Sequence, residues 1–226
     1  ESDWIDFLGY KVASRLGVPA GPLLNSAWIQ FAGALGFDIL CYKTIRSTEA
    51  KGHPVPNMVY VDCDRQLAAE NSPDVLYVCS KPPQEMEEIA VTNSFGMPSR
   101  SPEYLAQDIP HAQKLLSPGQ VMIVSVVGTA SSKGFDAFVQ DFIKVAQQAG
   151  DYGAKIIELN LSCPNVTTGE GSIYNHPQHV YEIVSKVVKA VPNIPIVIKA
   201  GVFDDLHVME QAFIKAAEAG ARAVSG

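Results

Sequence analysis

The sequence predicts an α/β fold, with βαβ units wound around a parallel sheet. Two observations predict it. Short runs rich in β-branched residues alternate with amphipathic helical patterns. The runs themselves are almost continuously apolar, as in strands covered on both faces. An early strand is expected near Gly17 to Ala20 and a second from Phe37 to Thr44. Further strands are expected at Val121 to Gly128, Lys155 to Ser162, Ile194 to Ala200 and Ala221 to Gly226.

The helices between the later strands follow from spacing. In Phe135 to Ala149 the apolar positions are Phe135, Phe138, Val139, Phe142, Val145 and Ala146, three and four apart. That places them on one buried stripe. Val180 to Val191 and Leu206 to Ala219 repeat the pattern, and Gly150 and Gly220 stand where glycines end helices. Residues 45–98 break the rhythm. They contain Pro54, Pro56, Pro73, Pro82, Pro83 and Pro98 and short strand-like runs such as Met58 to Val61 and Tyr77 to Cys79. They read as an excursion on the βα side of the sheet, where a barrel places its active site. About six strands are expected, against eight in a (β/α)8 barrel of about 250 residues. The chain is therefore either part of such a barrel or an open sheet.

Composition narrows the function. With 47% hydrophobic and 18% charged residues in 226, the chain has enough apolar content for one sizeable core. A net charge of −7 and the lack of a basic stripe argue against nucleic acid as the partner and for a small molecule. No apolar run reaches the roughly 18 residues of a membrane span. The acidic start Glu1-Ser2-Asp3 does not resemble a signal peptide. Cys41, Cys63, Cys79 and Cys163 have neither disulfide-framework nor zinc-site spacing. Free thiols in a reducing cytoplasm are the expectation. His176 and His179 lack a third ligand nearby in sequence, so no metal site is expected. Gly169 and Gly171 do not follow a strand as a dinucleotide loop would.

The segment Glu158-Leu159-Asn160-Leu161-Ser162-Cys163-Pro164-Asn165 is the most informative. Period-two alternation puts Asn160 and Ser162 on one face at a strand end, with Cys163 just beyond. Amides there can hold a planar polar ligand. A thiol, which ordinarily titrates near about 8.5, can exchange a proton there. A turn around a buried cysteine fits the same residues. In Asn93-Ser94-Phe95-Gly96-Met97-Pro98, Gly96 permits close backbone approach and Asn93 offers a donor and an acceptor. An ordinary loop fits it too. Lys43 and Lys199 each lie at the end of an apolar strand, where a cation is uncommon without a partner. Together they suit an anionic ligand; singly, each is also compatible with a snorkelling side chain.

Taken in order, these motifs resemble the class 1 dihydroorotate dehydrogenases. The resemblance rests on Asn160 to Asn165, on Asn93 to Pro98, and on Val18-Pro19-Ala20-Gly21-Pro22. It extends to Tyr42-Lys43-Thr44, Gly52-His53-Pro54-Val55-Pro56 and Ile198-Lys199. It implies a (β/α)8 TIM barrel of which about six strands are present. Residues 1–226 would be one FMN-binding domain, with 45–98 as an excursion over the active-site mouth. It implies FMN-dependent oxidation of dihydroorotate to orotate in pyrimidine biosynthesis. Cys163 would take the C5 proton, and hydride from C6 would pass to flavin N5. Asn93, Asn160 and Asn165 would hold the pyrimidine, and the Gly96-Met97 backbone its carboxylate. Lys43 would lie between flavin and substrate. Ala20, Gly21, Thr44 and Asn160 would line the flavin, with Lys199 near its N1 edge. Class 2 relatives carry Ser as the base, so Cys163 points to class 1.

Three departures stand out. Asn57 replaces the Arg common in the Gly-Asn-Pro-x-Pro-Arg stretch. Thr167 to His176 departs from the class 1A loop, and its Gly171-Ser172-Ile173-Tyr174 looks more like class 1B or dihydropyrimidine dehydrogenase relatives. The sequence also stops before the glycine-rich phosphate site expected on the last two strands. Alternatives are another FMN barrel, of dihydropyrimidine dehydrogenase or dihydrouridine synthase kind, and a non-catalytic truncated barrel. A homodimer is left open.

Overall fold

The computed structural model describes residues 3–62, 76–162 and 172–226. The chain opens with a hairpin of β1 (Ile5–Phe7) and β2 (Tyr10–Val12). Its two-residue turn is Leu8-Gly9, at φ +54° and +92°. Positive φ at both positions gives the backbone twist that two-residue hairpins prefer. Next come β3 (Gly17–Val18), α1 (Ser26–Ala34) and β4 (Ile39–Ile45). The predicted excursion forms a three-stranded antiparallel sheet of β5 (Met58–Asp62), β6 (Tyr77–Val78) and β7 (Val91–Asn93). A bridge between Ala50 and Ser99 ties its base. Then follow α2 (Pro102–Lys114), β8 (Val121–Val126), α3 (Phe135–Asp151) and β9 (Ile156–Asn160). The chain continues through α4 (Pro177–Ala190), β10 (Ile196–Lys199), α5 (Leu206–Glu218) and β11 (Ala223–Ser225).

Six strands form one parallel sheet in the order β11-β10-β9-β8-β4-β3. Spatial order follows chain order throughout. A doubly wound open sheet reverses its order at a switch point, whereas a barrel does not. The two faces agree. Leu40, Tyr42, Met122, Val124, Ile157, Leu159, Ile196 and Ile198 point outward into one core shared with the helices. Cys41, Val121, Ile123, Ile156 and Val197 point inward. There they meet Val12, Phe7 and Tyr10 of the hairpin. The hairpin closes the lower end of the sheet, with Tyr10 Oη donating to the Lys155 carbonyl at 3.2 Å and Ala13 N–H to the Gly119 carbonyl at 2.9 Å. The fold is a curled section of a (β/α)8 barrel.

One expectation needs correction. Gly150 does not end α3; it lies inside the helix, which runs to Asp151. The left-handed residue is Gly153, at φ +90°. Gly150 lacks a side chain where Ile194 Cδ1 approaches within 3.1 Å of its Cβ position, so packing rather than a turn accounts for it. Gly220, at φ +104°, follows the end of α5 as expected.

The first two helices are locked to β4 by a half-buried carboxylate. Asp108 of α2 accepts from Tyr42 Oη at 2.6 Å, from Ser26 Oγ at 2.6 Å and from Ser26 N–H at 2.9 Å. Burial, reinforced by that carboxylate, pushes the Tyr42 phenol far above its ordinary range, so it stays a donor. Asp108→Ala leaves these donors without their acceptor. The expected loss is about 1–3 kcal/mol, read as a lower urea midpoint at unchanged m-value.

Candidate functional site

Toward the C-terminal ends of the strands the inward positions change from apolar to polar. On β9, Ile156 is followed inward by Glu158 and Asn160; on β8, Ile123 by Ser125; on β10, Val197 by Lys199. On β4 an irregularity in pairing between Tyr42 and Ile45 shifts the alternation and brings Thr44 inward above Cys41. Two polar layers result. The lower holds Cys41, Ser125 and Glu158. The upper, at the rim, holds Thr44, Asn160 and Lys199. Ser125, Glu158, Asn160 and Thr44 are all buried.

Hydrogen bonds knit the rim. Thr44 Oγ1 and Ser125 Oγ lie 3.0 Å apart. Asn160 Nδ2 reaches Thr44 Oγ1 at 3.4 Å and the Met97 sulfur at 3.5 Å. Asn160 Oδ1 accepts from the Ser162 N–H at 3.2 Å and its hydroxyl at 3.4 Å. Lys199 Nζ donates to Ser162 Oγ at 3.5 Å, which is its one hydrogen bond among the described residues. Several contacts are at the long end of hydrogen-bonding range. The donors are gathered at one place without being saturated by one another.

The excursion is pinned to this rim. Arg46 Nε donates to the Met97 carbonyl at 3.0 Å and its Nη1 to Thr129 Oγ1 at 3.1 Å. Asp141 of α3 accepts from Thr129 N–H and from Ser47 Oγ, so the ends of β4 and β8 share one anchor. Thr44, Met97, Asn160 and Lys199, named from sequence, thus converge. Ala20 lies against the inner cluster that contains Cys41. Gly21 follows it in the loop after β3. Lys43 lines a cavity of about 380 Å³ that also touches Thr44, Asn25, Gly52, Lys51 and Arg100. Asn93 stays exposed at the end of β7, and Gly96, at φ +73°, packs beside the His53 ring. Neither bonds to the four rim residues among the described residues. Cys163 and Asn165 fall outside the described residues, as do Cys63 and Gly169 to Gly171. The flanking residues Ser162 and Ser172 meet in an antiparallel bridge.

Sequence reasoning missed the lower layer. Ser125 is a lone hydroxyl inside an apolar strand, and Glu158 stands two residues before Asn160 on the same face. Extending the period-two count one step back finds Glu158. Burial pushes its carboxyl above the usual range; a hydrogen bond from Ser125, the Lys199 charge and the Cys41 thiol pull it back. Burial, and then the Glu158 charge, push the Cys41 thiol well above its usual range. Cys41 is therefore an inert thiol rather than a nucleophile. His179 stacks on Phe135 at 4.1 Å, which accounts for it by packing. Among the described residues no cluster could hold a metal ion, and no helix is long and apolar enough to cross a membrane.

A parallel barrel section with donors and a cation at its C-terminal rim defines a class of small-molecule enzyme scaffolds. Residues 81–224 match the family model described as dihydroorotate dehydrogenase. The chain belongs to the dihydroorotate dehydrogenase family. It is 53% identical over 230 aligned positions to a dihydroorotate dehydrogenase of Dictyostelium discoideum, covering all of this chain and 62% of that protein. The chain thus spans about three-fifths of that relative's length. It is 32% identical over 129 residues to the catalytic subunit of a dihydroorotate dehydrogenase B (NAD(+)) of Alkaliphilus oremlandii, covering 56% of this chain and 39% of that one. It is 41% identical over 71 residues to a dihydroorotate dehydrogenase A (fumarate) of Limosilactobacillus reuteri, covering 31% and 22%. Among solved structures, the Eimeria tenella DHODH in complex with ferulenol superposes with a TM-score of 0.71 at 13% identity. That match covers 96% of this chain and 57% of the other, and it supports the fold.

Proposed function

We propose that this chain carries the flavin- and substrate-facing rim of an enzyme that oxidises dihydroorotate to orotate, a step of pyrimidine biosynthesis. The observation that carries the reading is the upper polar layer, where Thr44, Asn160 and Lys199 converge under Met97. FMN fits it: a flat ring with a polar edge needs donors from the side and a cation near its electron-rich end. Asn160 and Thr44 supply the donors, Lys199 the cation, and the backbone at Ala20 and Gly21 a close wall. Bound there, FMN supplies the two-electron acceptor for the C6 hydride.

The protein's own residues do the rest. Lys43 lies between flavin and substrate, and the Gly96-Met97 backbone holds the substrate carboxylate. Asn93, Asn160 and Asn165 hold the pyrimidine edges. Cys163 follows Ser162 directly in the chain and takes the C5 proton. The excursion, anchored through Arg46, covers the mouth and excludes water, which strengthens each of these polar contacts. The free thiols of Cys41 and Cys79 suit a cytoplasmic setting.

Titrating the chain with FMN tests the reading. The two visible bands of an oxidised flavin should shift on binding. Lys199→Ala should weaken binding about 10- to 100-fold, the worth of one charged hydrogen bond. Equal affinity in wild type and Lys199→Ala would remove the second lysine from the flavin site. No binding by either would sink the proposal for this chain.

A further inference from the structure

We propose that Glu158 is an internal proton acceptor coupled to Lys199: when an anionic group settles against Lys199, Glu158 takes up a proton from solvent. The inference rests on reading the rim as the ligand site. It assigns a role to a residue in the layer beneath that site, among side chains rather than at the mouth.

The placement is unusual for a carboxyl group. Glu158 is only 3% exposed and points to the inside of the sheet, where apolar residues lie directly below it. Carboxylates are seldom this buried without a cation in contact. Here no lysine or arginine among the described residues lies within ion-pair distance. The groups facing it come from three strands. Cys41 of β4 places its sulfur 3.9 Å from Glu158 Oε1. Ser125 of β8 is its register partner, and its hydroxyl pulls the carboxyl back toward its usual range. On β10 the register partner is Val197, and Lys199 stands one inward position higher, opposite Asn160.

Lys199 is thus a cation whose charge favours ionised Glu158, and it acts through space. The low-dielectric interior between them preserves that coupling against salt. An anion at the rim cancels the lysine's field, so the ionised carboxylate loses its support. Of the two ionisable groups in the lower layer, the Cys41 thiol is already protonated and can accept nothing. The carboxylate can. The step is a simple protonation: carboxylate plus one solvent proton gives the acid, with no electrons moved and no ligand bond broken. Its effect is to keep the buried charge near the ligand constant as negative charge arrives above it.

Two measurements test this. The first needs no flavin. Glutamate is labelled with carbon-13 at the carboxyl, and the buried resonance is identified by its loss in Glu158→Gln. Should that variant not fold, Ser125→Ala assigns it, because removing the neighbouring hydroxyl moves the same signal. The titration midpoint should shift upward in Lys199→Met; an unchanged midpoint overturns the coupling. The second is calorimetry of FMN binding in two buffers of different ionisation enthalpy. Wild type should take up protons on binding, and Glu158→Gln should lose that uptake while still binding. Equal uptake in both assigns the proton elsewhere and overturns the inference. Failure of FMN to bind at all would count against the proposed function, while the resonance titration still decides the coupling.

Discussion

On the proposed function, replacing Cys163 by Ser should lower the rate of dihydroorotate-driven flavin reduction about 10²- to 10⁴-fold, the worth of a general base, while flavin stays bound. The two side chains are nearly the same size, so binding groups at the rim are undisturbed. What changes is acidity. A thiol titrates at about 8.5, close to working pH, whereas a hydroxyl gives up its proton far less readily. The surrounding architecture makes this a clean test. Asn160 is held by Thr44 and Ser162, and Lys199 by Ser162. Rapid mixing of oxidised, flavin-loaded enzyme with dihydroorotate reads the step directly as loss of flavin colour. The residual rate of the variant should climb with pH beyond the point where wild type levels off. Equal bleaching rates in the two proteins would take the cysteine out of the mechanism.

Legibility in the sequence followed periodicity. The strand ends were readable because apolar runs stop abruptly at Lys43, Asn160 and Lys199, and β9 and β10 bring the last two opposite each other. Helices α3, α4 and α5 were readable because one stripe is apolar and the rest is not. Helix α1 was not, since Trp28, Phe31 and Leu35 stay 46%, 55% and 63% exposed and blur the stripe. Helix α2 was hidden by Pro110 inside it and by its few buried residues, Leu105, Ile109 and Ala112. The opening hairpin escaped because its turn is Leu-Gly rather than the Asn-Gly or Asp-Gly that such turns favour. Glu158 escaped for a different reason. Nothing local marks a glutamate as inward; only the register of β8, β9 and β10 places it beneath Asn160. Asn93 is the opposite case. Its motif was legible, yet it sits on the excursion's own sheet, whose position over the rim no local pattern encodes.

Phe142→Ala is expected to cost about 3–5 kcal/mol, the range for deleting a buried aromatic ring. Phe142 is fully buried on the inward stripe of α3 and meets Phe138 edge-on at 5.1 Å. Its ring also lies over Gly128, where a Cβ would come within 2.6 Å of Phe142 Cδ2. The glycine leaves nothing to fill the hole, so the site collapses poorly and the cost falls high in that range. Against a net stability of about 5–15 kcal/mol this is a large fraction. The close approach also fixes the sign of a second experiment. Gly128→Ala alone overpacks the site and costs about 1–3 kcal/mol. In the double variant the new methyl occupies space the ring has vacated. Its loss should therefore be smaller than the sum of the single losses, a coupling of the kind contacting residues show. Urea unfolding of the four proteins measures it. Strict additivity would mean that the end of β8 moves away from α3 on losing the ring. The Asp141 contact to Thr129 would then be broken with it, and the shared anchor of β4 and β8 at the rim would be lost.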